Sequence, residues 1–119
     1  VVTTREYLKS KEGLEVLQKF LKAYVEAINL CLKNKDFTLK VIADYTRTND
    51  PEMLEETYQA NIAKAFLKAP YPSVEGFKTI LDFVGETRDP KAKAIDPKSA
   101  LDASLVKQLD DSGFIKNLH

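Results

Sequence analysis

His119 is the only histidine and closes the chain, a position where an imidazole is expected to be mobile rather than held for catalysis. One cysteine, Cys31, accompanies it, so histidine and cysteine together are too few to assemble a zinc site. Cys31 falls on the apolar side of a helical repeat, where a thiol packs as a small hydrophobe. A reactive thiol instead needs an electropositive, partly exposed setting. Glu55–Glu56 and Asp110–Asp111 are the adjacent acidic pairs. Neighbours on a helix point in different directions, so neither pair is expected to form an acid–base dyad. Dipole complementarity and solvation account for them better. Gly76, Gly85 and Gly113 are scattered and build no phosphate-cradling loop. Ser73 and Ser112 lack a nearby base and belong to helix ends, and the five tyrosines (7, 24, 45, 58 and 71) are expected mostly in the core. The residues predict no enzyme, no cofactor and no metal site.

These groups must be positioned by helices. Leu14, Leu17, Leu21, Tyr24, Ile28 and Cys31 recur at spacings of three and four, which places them on one helical face. Phe20, Val25 and Leu32 widen that stripe beyond what one neighbour covers. Six heptad-like positions also suit a coiled coil, but the flanking helices favour packing within a domain. Before it, Val1–Thr4 is β-branched throughout and predicts a short extended strand, with Thr4 capping a helix that carries Tyr7 and Leu8.

After it, Asp36 is the expected N-cap of a helix with Phe37, Val41, Ile42 and Tyr45 inward. Asp50–Pro51 starts the next helix, with Leu54, Tyr58, Ile62 and Phe66 as its buried row and Lys64 and Lys68 near its negative end. Pro70 and Pro72 interrupt, and Ser73 restarts a helix with Val74, Phe77, Ile80, Leu81 and Val84 on one face, ended by Gly85. Arg88–Ser99 reads as a loop with one short turn. Asp102 then caps a last helix with Leu105, Val106 and Leu109 inward, closed by a left-handed Gly113 before Phe114 and Ile115. The fold expected is mainly α, a single domain over residues 1–119 with five to six amphipathic helices and a short N-terminal extended segment.

Composition narrows the partners. The 119 residues are 44% hydrophobic and 30% charged, a balance suited to a globular core rather than disorder. Lys plus Arg and Asp plus Glu each number 18, so no basic excess marks a nucleic-acid binder. No apolar run is long enough for membrane insertion. The lone cysteine leaves the redox compartment open, and Val1 in place of Met leads us to expect an upstream segment.

Several pieces occur in a telling order: Val1–Ser10, the Phe-Leu-Lys-Ala of Phe20–Ala23, the Ala-Asp-Tyr of Ala43–Tyr45 and the Asp-Pro-Glu of Asp50–Glu52. Tyr-Pro-Ser at Tyr71–Ser73 and Ser-Gly-Phe-Ile at Ser112–Ile115 complete the series and are its most specific members. In this order the chain resembles, over essentially its whole length, the C-terminal portion of ABC-transporter substrate-binding proteins, in the nitrate/sulfonate/taurine and thiamine-pyrimidine-precursor branch. The resemblance implies a fragment of a two-lobed α/β periplasmic-binding-protein fold, periplasmic or membrane-anchored and extracellular. It also implies a small-molecule ligand and an ABC permease as partners of the complete protein. The family's ligand contacts come chiefly from earlier in the chain; here Thr3 and Thr4, just past the implied crossover between lobes, are the nearest ligand-binding candidates, and strand formation and capping are their competing roles. Fungal enzymes of thiamine-pyrimidine synthesis share the fold, but their histidine- and cysteine-based site has no counterpart here.

Two readings of different class follow: a ligand-capture protein's brace, not ligand-competent alone, or an independent helical interaction and oligomerisation module derived from such a gene. Under the first, helices stripped of a covering sheet are expected to self-associate, most simply as a homodimer, whereas a monomer would favour the second.

Overall fold

Helix caps set the chain's punctuation. In a computed structural model describing all of residues 1–119, each of the first five α-helices starts where a short polar side chain receives an otherwise unpaired backbone N–H, whereas the helix at Ser104–Asp111 has Ala103, not Asp102, at its N-cap position. Thr4 Oγ1 accepts from Tyr7 N–H at 3.2 Å and opens α1 (Arg5–Lys9). Ser10 Oγ accepts from Gly13 N–H at 2.9 Å and opens α2 (Lys11–Lys33). Asn34 Oδ1 accepts from Phe37 N–H to open α3 (Lys35–Thr46), so Asp36 is not the cap but lies in the first turn, where its charge meets the helix's positive end. Asp50 caps α4 (Pro51–Tyr58) with proline at its first position, and Ser73 caps α5 (Val74–Thr87).

Beyond Tyr58 the helix widens into a π turn, Gln59–Ala63, and then stops, well short of Lys68. Apolar residues every fourth position overshoot the 3.6-residue turn, so the row from Leu54 drifts about 40° per step around an α-helix. A wider π turn swings Ile62 back toward the side already occupied by Tyr58, and this segment packs on α2. The next helix also differs from expectation. It runs through Gly85, which is buried against the Lys93 side chain rather than serving as a C-cap. The region after it holds two short helical turns: a 3₁₀ turn, Pro90–Ala94, and α6 (Pro97–Ala100). The remaining elements are α7 (Ser104–Asp111) and α8 (Phe114–Leu118), with left-handed Gly113 between them at φ 77°.

The chain is mainly α, with eight α-helices where five to six were expected, and the N-terminal strand is missing. Val1–Thr4 has no partner strand and lies exposed, and β-branching alone does not hold a strand without one. The surplus helices are the short turns α6 and α8.

Packing divides the helices into two groups. The first surrounds α2: α1, α3, α7, α8 and the π turn all touch it. Its centre is Val25, Leu109 and Ile115, flanked by Leu21, Ala69, Phe114 and Leu118. The second group is α5 folded over the 3₁₀ turn and α6. One tie back to the first runs through Arg5, whose guanidinium donates to the Ser99 carbonyl at 3.0 Å.

The result is a slab of 44 × 39 × 21 Å with a radius of gyration of 17.2 Å. A compact chain of this length has a radius of about 13.5 Å. Thirteen of 119 residues are buried, too few for a core that serves all the helices.

Candidate functional site

Thr3 and Thr4 sit in the exposed N-terminal segment, and Thr4 spends its hydroxyl on the α1 cap. Two hollows lie elsewhere, each about 200 Å³ in volume, and neither threonine lines them. One is apolar, between Tyr24 and Ile28 of α2 and the Phe66–Tyr71 segment. The other is polar, between Gln18 and Lys22 of α2 and Leu105, Gln108 and Ser112 at α7. Ligand pockets for small molecules run from about 300 Å³ upward. Both hollows fall below that size.

The acidic pairs separate as helix geometry requires. Glu55 binds Lys35 Nζ at 2.6 Å and accepts from Gln59 Nε2 at 3.0 Å. Those hydrogen bonds hold its carboxyl below the usual pKa. Glu56 is exposed. Asp110 Oδ2 accepts from Tyr71 O–H at 2.8 Å, which raises the phenol's pKa. Asp111 takes Lys107 Nζ at 2.9 Å, raising the amine's pKa. The two aspartates therefore have separate tasks, and Tyr71–Asp110 pins the segment before α5 onto α7.

The tyrosines depart from expectation. Tyr58 is buried at 6% exposure, and its hydroxyl donates to the Cys31 carbonyl at 3.3 Å. Tyr7, Tyr24, Tyr45 and Tyr71 are exposed, Tyr45 at 88%. Cys31 is half-buried, and its carbonyl also receives the hydroxyl of buried Thr38 at 3.2 Å. His119 is not a free tail: it folds back toward Lys33 and Lys68, with Nε2 enclosed and unpartnered. Burial first, then those two ammonium charges, push its pKa below the ordinary value. Nearby, Lys33 Nζ donates to the Leu118 carbonyl at 2.6 Å.

No three His, Cys, Asp or Glu side chains converge. No helix is long and apolar enough to cross a membrane. What the surface does present is apolar area. The accessible surface is 8976 Å². A folded monomer of 13.4 kDa exposes about 6,500 Å². Val16, Phe20, Tyr24 and Leu30 on α2 and Val74, Ile80 and Phe83 on α5 are all exposed. From sequence, the α2 stripe reads as one face, too wide for one neighbour; the structure splits it into two. Spacing alone held the missing signal: Val16, Phe20, Ala23, Ala27 and Leu30 form a second series of fours and threes. No family model, curated protein or solved structure matches the chain.

Proposed function

We propose that this chain is a non-catalytic helical packing element, and specifically the helix-rich C-terminal portion of a two-lobed solute-binding protein. That protein serves ABC-type import of a small molecule of the sulfonate, nitrate, taurine or pyrimidine kind. The observation carrying the packing role is the surplus surface: about 2,500 Å² more than a compact chain exposes. Val16, Phe20, Tyr24 and Leu30 of α2 and Val74, Ile80 and Phe83 of α5 add exposed apolar area to it. In the parent architecture those residues cover a sheet contributed by other parts of the protein. The specific identity rests on the ordered pieces from Val1–Ser10 to Ser112–Ile115. The small size of both hollows supports the further point that capture of the solute requires a second wall.

Calorimetry with taurine, nitrate, an alkyl sulfonate and a hydroxymethylpyrimidine tests this reading. The isolated chain should release no measurable heat with any of them. A protein that joins it to the coding region upstream should bind one of them. Micromolar binding by the chain alone, or an upstream region that encodes no second lobe, contradicts the reading.

The independent interaction module is the alternative, and the second apolar series on α2 favours it. A helix with two apolar faces has one for its own fold and one to offer.

A further inference from the structure

Around α2, residues fall into two apolar faces on different sides of the helix. Leu17, Leu21, Val25 and Ile28 turn inward toward α7, α8 and the π turn. Val16, Phe20, Ala23, Ala27 and Leu30 occupy the other, and all five are exposed. Val16, Phe20 and Leu30 stand at 47%, 49% and 45% exposure. Their spacing of four, three, four and three is that of a coiled-coil seam, sustained for about 21 Å along the helix. The geometry points to this seam as the docking surface for α2 of a second copy of the chain, running antiparallel. The inference deepens the reading of the chain as a packing element by naming one partner.

Two features select the second copy and its direction. Size is complementary. With the two-fold axis passing between Leu21 and Lys22, Phe20 faces Ala23 of the other copy and Val16 faces Ala27, large against small in four layers. A parallel pairing instead sets Phe20 against Phe20. Charge is complementary as well. Lys19 and Glu26 border the seam on the same side, both exposed and neither engaged in an ion pair within the chain. In the antiparallel register Lys19 of each copy lies within two residues, about 3 Å along the axis, of the other copy's Glu26. Lys22 also lies near the axis, but its ammonium is turned away over the Phe114 ring, 5.7 Å from the centroid.

Charge exchange tests the pairing with the whole chain. By sedimentation velocity, the wild-type chain is expected to dimerise at micromolar concentration. Lys19→Glu and Glu26→Lys should each weaken that dimer by about tenfold or more, because like charges then meet twice. Mixing the two variants should restore a dimer, since at both contacts a carboxylate of one variant then meets an ammonium of the other. Circular dichroism on each variant checks that helix content is retained, as these positions are exposed. Ala23→Glu, which drives a charge into the Phe20 layer, should abolish association.

A wild-type dimer indifferent to all these changes overturns the α2 seam while leaving the packing-element reading intact. Single variants that associate as tightly as their mixture overturn it as well. A wild-type chain that stays monomeric overturns the seam outright.

Discussion

Backbone approaches at single residues make the sharpest demands on this chain. Gly13 lies in the first turn of α2, where a Cβ would strike the carbonyl oxygen of Tyr7 and the Ser10 hydroxyl. Alanine is the better helix former, yet Gly13→Ala should loosen α1 because the obstructing atom is backbone. Amide hydrogen exchange should show faster exchange across residues 5–10 and little change in α7. Unchanged protection there would mean that α1 tolerates the methyl group. Gly85 is a milder case, since the atoms a Cβ would meet belong to the flexible Lys93 side chain.

Asp102 gives a pH signature. Its carboxylate receives the Ser104 backbone N–H at 2.8 Å, and the Ser104 side-chain and backbone bonds lower its pKa. A carboxylate whose folded pKa lies below its unfolded one stabilises the fold above the unfolded value. That contribution disappears as pH falls through the folded value. The acid side of a stability–pH curve should therefore flatten in Asp102→Asn between the ordinary aspartate pKa and more acidic pH. A wild-type curve retained by the variant would contradict the assignment.

Among the elements, capping and burial decide what persists. Ser73→Ala removes the hydroxyl that accepts Gly76 N–H at 3.0 Å and should cost about 0.5–2 kcal/mol in urea unfolding. Ile28→Ala, at a site buried on the inner face of α2, should cost about 2–5 kcal/mol. A midpoint unmoved by the second change would show that this face is not in a core. The helices were legible because the periodicity of Leu14–Cys31, Leu54–Phe66 and Val74–Val84 is a local property, as are the Thr4, Asp50 and Ser73 caps. Asp36 was misread because Asn34, two residues earlier, starts the helix by accepting Phe37 N–H, which leaves Asp36 inside the first turn. The degree of burial was not legible. Periodicity shows that Tyr45 or Ile80 lies on an apolar face, but the neighbour that covers a face is set by the tertiary arrangement. Here both faces are open.

For the whole molecule, thinness is the governing property. Helices in two groups, joined across a 21 Å slab, leave apolar sides on α2 and α5 without a layer to cover them. Thr3 and Thr4, the sequence's nearest ligand candidates, lie in the exposed N-terminal segment. Length and composition gave no warning of this, because a 119-residue chain with 44% hydrophobic residues is able in principle to close its own core. The deficit comes from distribution: the apolar residues are spread over two faces of α2 and over the outside of α5. Our proposal that a second copy covers the α2 face is tested most directly by small-angle X-ray scattering over a concentration series. We predict a scattering mass of two chains at micromolar concentration, falling toward 13.4 kDa on dilution, with the dilute species retaining a radius near 17.2 Å. A monomer at every concentration, with a radius of about 13.5 Å as expected for a compact chain, would contradict it.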